Sequence, residues 1–155
     1  MTDTPRHQAG EAVTNLLFHL FRANNQVLTW GDRLVAGLGL TSARWQILGA
    51  IVAAEHAQPV SWLARDLGAN RQNVQRIVND LAKDGFVVFA PNPHHRRAQL
   101  VVLTDLGREI FDAANDIYNP RVNALSEGLS LKDIETASDV LKVLRQKVED
   151  DANAL

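Results

Sequence analysis

The sequence predicts a mainly α-helical fold with one small β-hairpin. Three observations predict it. Apolar residues recur at helical spacing over most of the 155 residues. Two short amphipathic segments flank the tripeptide Gly68-Ala69-Asn70. Two β-branched or apolar runs, residues 86–90 and 98–103, enclose a linker rich in turn formers and basic side chains.

Each element has its own signal. Over residues 8–38, Val13, Leu17, Leu20, Phe21, Val27, Leu28, Leu34, Val35 and Leu38 recur near helical spacing, and Leu16 and Phe18 widen the apolar face. So broad a face suits a helix buried within one chain or a helix packed on a second subunit. Gly37 and Gly39 punctuate. Thr41 is placed to cap a helix over 42–55, with Trp45, Leu48, Ile51 and Val52 inward. Pro59-Val60 reads as a short extended link. Ser61 is the expected cap of a helix over 62–67, which Gly68 ends. Asn70 caps the next helix, 71–83, closed by Gly85. The hairpin follows. Thr104 caps a helix that runs from 105 past Tyr118, with Pro120 as an expected kink or interruption. Ser130-Leu131-Lys132-Asp133 resembles a capping box with Asp in place of Glu. It opens a final helix through Val148, with Ile134, Ala137, Leu141, Leu144 and Val148 on one side.

Composition removes several function classes. There is no cysteine, which excludes disulfides, thiolate metal sites, a cysteine nucleophile and a thiol redox sensor. The opening MTDTPRHQAGEA lacks the apolar stretch of a signal peptide. The longest mainly apolar run, 47–54, is far short of the roughly 18 residues of a membrane span. The expectation is a cytoplasmic chain with no membrane partner. The formal net charge of −2 is unevenly spread: seven Arg or Lys face four Asp between Ser61 and Arg108. A basic middle between acidic flanks points to a local anionic partner.

The paired short helices form a helix-turn-helix signal, in which the second helix can enter a DNA major groove. Val74, Ile77, Val78 and Leu81 make its inward stripe. Arg71, Gln72, Asn73, Gln75 and Arg76 are free to face outward, where Arg pairs with guanine and Asn or Gln with adenine. A plain solvated helix face would look similar. The hairpin tip adds His94, His95, Arg96 and Arg97. A structural turn gains nothing from four such side chains in a row, whereas a phosphate backbone or a narrow minor groove attracts them. A helix-turn-helix followed by a basic hairpin is a winged helix-turn-helix.

The chain here resembles the MarR family of bacterial regulators. Leu40-Thr41-Ser42-Ala43-Arg44-Trp45 is similar to the family's LTxxQW helix start. Next come SWLARDLG at 61–68, RQNVQRIV at 71–78 and the wing PNPHHRRAQLVVLTDLG at 91–107. The resemblance implies a homodimer on a near-palindromic operator, acting as a ligand-responsive repressor. Residues 1–38 and 105–155 would supply the dimerisation helices and 39–104 the DNA-binding lobe. Arg71, Gln72, Asn73, Gln75 and Arg76 would read bases or hold phosphates, and Arg97 would be the wing arginine. Two departures stand out. Gln75 and Gln72 replace the usual small hydroxyl and frequent proline. His95-Arg96-Arg97 replaces Asp-x-Arg, so the carboxylate that ordinarily orders the wing arginine is missing. Histidines on phosphates gain charge as pH falls, so DNA binding is expected to tighten between about pH 7.5 and 6.

The resemblance also implies a small aromatic or phenolic effector. Candidate liners are His19, Arg22, Trp30, Arg44, Trp45, Trp62, Phe111 and Tyr118. Trp and Phe more often serve the core, and His19 with Arg22, three apart on one helix, could jointly hold a carboxylate. Adjacent His94 and His95 rarely converge on one metal, and no cofactor or catalytic set stands out. The rival reading is a winged-helix module that binds protein and not DNA.

Overall fold

The computed structural model describes residues 5–154; the remaining residues of the expected terminal segments lie outside it. Helix α1 spans Gln8–Val35 and runs into a tight 3-10 turn, Ala36–Leu38. Helix α2, Ser42–Ala53, starts where the Thr41 hydroxyl accepts from the Arg44 N–H. Strand β1, Gln58–Pro59, leads into α3, Val60–Leu67, and α4, Arg71–Lys83. Strands β2, Val87–Ala90, and β3, Leu100–Leu103, form the hairpin. Helices α5, Asp105–Ser126, and α6, Leu131–Ala154, complete the chain.

Three local expectations differ. The short extended segment expected at 59–60 is a strand lying one residue earlier, at 58–59, antiparallel to β3 with Gln58 opposite Val101, so the sheet order is β1-β3-β2. Pro59 lacks an N–H and is tolerated because β1 is an edge strand. Second, α3 begins at Val60, without a side-chain cap, rather than after Ser61. Pro59 stands at the N-cap with extended backbone and offers no side-chain acceptor, while Val60 is drawn into the core. Third, α5 is not interrupted at Pro120. The proline removes one helical donor, and the exposed neighbours leave the Asp116 carbonyl open to water.

One core serves the lobe. Leu48 of α2, Leu63 of α3, Val74, Val78 and Leu81 of α4, and Val87 and Val101 of the sheet are all buried. Val35 at the end of α1 and Ala114 of α5 join them. Gly107 is required by close approach, since a Cβ there would collide with the Phe86 carbonyl. It lets α5 leave the sheet directly, with Thr104 capping Gly107 N–H at 3.0 Å. The chain divides into two compact units between Tyr118 and Asn119. In the second, Ser130 accepts from Asp133 N–H at 3.4 Å, and no residue of α6 is buried.

Candidate nucleic-acid interface

The turn between α3 and α4 sets the geometry. Gly68 takes a left-handed conformation, φ 61°, and donates to the Ala64 and Arg65 carbonyls. Glycine adopts that conformation without a Cβ penalty. Two residues on, the Asn70 side chain accepts from the Gln72 and Asn73 N–H groups at 2.9 and 3.2 Å. One helix is thus stopped and the next started within three residues.

Burial then sorts the faces of α4. Val74, Ile77, Val78 and Leu81 lie in the core; Arg71, Gln72, Asn73 and Arg76 are exposed. The polar face is internally tied: Arg76 donates to Asn73 at 2.9 Å, and Gln75 donates to Asn79 at 3.0 Å. These bonds hold guanidinium and amide ends over the helix surface at little ordering cost on binding. The first two turns of this face offer hydrogen bonds without a carboxylate; Asp80 follows one turn later, paired with Lys83.

The wing tip is ordered differently from the usual carboxylate pattern. Asn92 takes that place: its amide donates to the Ala98 carbonyl at 2.9 Å and its oxygen accepts from His94 N–H at 3.0 Å. None of the ion pairs among the described residues involves Arg97. His94, His95, Arg96 and Arg97 are all exposed. A groove of about 180 Å³ between α4 and the wing places Arg71 and Arg97 beside Gln75, Asn79, Ser61 and Gln99. Two guanidinium groups and several neutral donors suit a phosphate.

As groove residues, Asn79, Asn92, Ser61 and Gln99 are not evident from the sequence alone. Asn79 could have been found as the i+4 partner of Gln75, and Asn92 as a turn-forming Asn between two prolines. Ser61 and Gln99 reach the groove only through the sheet pairing.

The eight candidate effector residues do not gather in one place. Trp30, Trp45, Phe111 and Tyr118 line a cleft of about 510 Å³ within the first unit. Tyr118 meets Trp45 and Trp30 edge-on, with centroids 5.0 and 5.8 Å apart. Asn24, Gln46 and Asn115 supply the polar lining. Trp62 lies in a separate groove with Gly49, Ala53 and His56. Arg44 points to Asp84. His19 and Arg22 are exposed on α1 and line neither cavity. Among the described residues, no three His, Asp or Glu converge as a metal site, and no single helix is long and apolar enough to cross a membrane.

Comparison with known proteins agrees with this architecture. Residues 38–98 match the sequence pattern of the MarR family. The transcriptional activatory protein BadR of Rhodopseudomonas palustris is 30% identical over 125 residues, covering 79% of this chain and 70% of BadR. The structure of the transcriptional repressor CouR bound to a 23-mer DNA duplex superposes with TM-score 0.75 at 25% identity, covering 91% of this chain and 99% of that one. CouR from Rhodococcus jostii RHA1 bound to p-coumaroyl-CoA gives TM-score 0.75 at 22% identity, covering 83% and 90%. With its capped second helix, its basic wing and these relatives, the chain belongs to the MarR family of DNA-binding transcriptional regulators.

Proposed function

We propose that the protein is a non-catalytic regulator that binds a near-palindromic operator as a homodimer. The observation that carries this is the clean division of α4, with a fully apolar buried face and an exposed face of Arg71, Gln72, Asn73 and Arg76 beside a basic wing. In this reading α4 enters the major groove and the wing lies on the adjacent backbone or minor groove. Arg76, Asn73, Gln72 and Gln75 select bases; Arg71, Arg97, Arg96, His94 and His95 hold phosphates or the minor groove. Residues 39–104 form the DNA-binding lobe, and 1–38 with 105–155 the dimerisation helices. The exposed Phe18, Phe21 and Val27 of α1 and Leu131, Leu141 and Val148 of α6 supply apolar surface for a second copy. The expected spacing of the half-sites is about one helical turn.

The mode of action in this reading is repression, supported by the transcriptional repressor CouR among the similar structures, with the activatory BadR as the opposing relative. The aromatic cleft takes a small aromatic or phenolic effector, a reading supported by the p-coumaroyl-CoA held by the CouR relative. Binding there releases DNA by favouring a dimer with wrongly spaced recognition helices. The protein works in the cytoplasm, where its operator lies.

Selection of purified protein against random duplex DNA at near-physiological salt tests this. An enriched palindrome that is lost or relaxed with Arg76→Ala establishes dimeric, sequence-specific reading. No enrichment from a folded dimer overturns it and favours a protein-binding module. A reporter placed behind the selected operator then separates repression from activation.

A further inference from the structure

Arg44 lies outside both the DNA-facing surface and the aromatic cleft, yet it touches the supports of both. Its side chain is only 18% exposed. One guanidinium nitrogen pairs with Asp84, the residue that ends α4. Another donates to the Gly39 carbonyl, 2.9 Å away, in the turn between α1 and α2. The guanidinium carbon sits 5.6 Å from the ring centroid of Phe86, directly before β2. A single side chain therefore binds the end of the recognition helix, the base of the wing and the turn that leads into α2.

Its neighbours on the same helical turn face the cleft. Trp45 packs edge-on against Tyr118. Ser42 is buried, donating its N–H to Asp32 at 2.6 Å and its hydroxyl to the Leu28 carbonyl at 2.7 Å. Ser42 and Trp45 both line the cleft. The first turn of α2 thus has one side in the cleft and the other on the DNA-binding elements.

Stability alone is a poor reason for an arginine here. Asp84 is about half exposed, and such a pair contributes little. Arg44 Nε is buried without a hydrogen-bond partner, a cost that a neutral packed side chain avoids.

We infer that Arg44 is a positioning residue that couples the aromatic cleft to the recognition helix and the wing. A ligand that shifts Trp45 and Ser42 moves the guanidinium, and with it Asp84 and Phe86. Coupling is reciprocal, so DNA on α4 is felt at the cleft. The inference rests on the DNA-binding reading above.

Tryptophan emission tests it without knowledge of the effector. The chain has three tryptophans, so Trp62→Phe leaves only Trp30 and Trp45, both in the cleft. This full-length protein is titrated with the duplex obtained by selection, following emission and, independently, binding. The expected result is an emission change that tracks occupancy. Arg44→Gln should bind about tenfold more weakly and lose the emission change even at saturation. Asp84→Asn should lose part of it, and Arg44→Lys should recover part of the affinity. An unchanged emission response at saturation in Arg44→Gln, with only a lower melting temperature, reduces Arg44 to a structural role and overturns the inference. So does binding by the Trp62→Phe protein with no emission change. If Arg44→Gln fails to fold, Asp84→Asn decides, full retention of the response overturning the coupling. Absence of any binding by the unsubstituted protein overturns the DNA-binding reading itself and is recognised by that failure.

Discussion

The winged lobe and helix α6 treat their apolar residues in opposite ways. In the lobe, Leu48, Leu63, Val74, Val78, Leu81, Val87 and Val101 from five elements close on one another. Along α6, Leu131, Ile134, Val140, Leu141, Val143 and Val148 remain exposed, the first of them at 70%. Helix α6 is as regular as α4, so local structure is not what separates them. The difference is completeness: the lobe satisfies its core within one chain, whereas α6 carries an apolar face that one chain leaves in water, at about 25 cal/mol for each Å². Such a face calls for a partner surface, and a second copy of the chain is the one proposed above.

Substitutions can break either side of this contrast. The largest expected effect is Gly107→Ala. The new Cβ would meet the Phe86 carbonyl and lie 2.9 Å from Leu103 Cδ1, and backbone cannot yield cheaply. A loss of about 4 kcal/mol or more is expected in a denaturant melt followed by circular dichroism. A midpoint close to wild type would show that α5 can leave the sheet by another path.

Next comes the exposed face of α6. Ile134→Asp with Leu141→Asp should leave the lobe folded but shift the dimer toward monomer by about 100-fold, since each change acts in both copies. Sedimentation against concentration reads this directly. An unaltered dimer would remove α6 from the interface. Arg76→Ala, on the exposed side of α4, should cost about 1–3 kcal/mol of operator affinity and relax one position of each half-site, with no change in melting. Uniform weakening across all sequences would instead make Arg76 a phosphate contact.

Smaller effects belong to the wing. Asn92→Ala removes two hydrogen bonds worth about 1 kcal/mol each and should weaken operator binding several-fold by loosening the tip. Equal affinity for both proteins would mean that the wing is ordered by DNA and not beforehand.

What the residues determined alone is much of what closes within one turn of chain. Thr41, Asn70 and Thr104 cap their helices through bonds spanning two or three residues, and Gly68 stops α3 by its own backbone freedom. The hairpin runs and the sorted faces of α4 were equally legible, because period and turn chemistry are local. Tertiary structure decided what distant residues do together. Gln58 became a strand only because Val101 lies opposite it. Pro59 displaced Ser61 as the start of α3 once Val60 had a core to enter. Trp30, Trp45, Phe111 and Tyr118 share a cleft while Trp62, similar in kind, lies elsewhere. Arg44 found Asp84 across forty positions. No periodicity encodes such meetings, because they depend on how helices cross and which faces the core has already claimed.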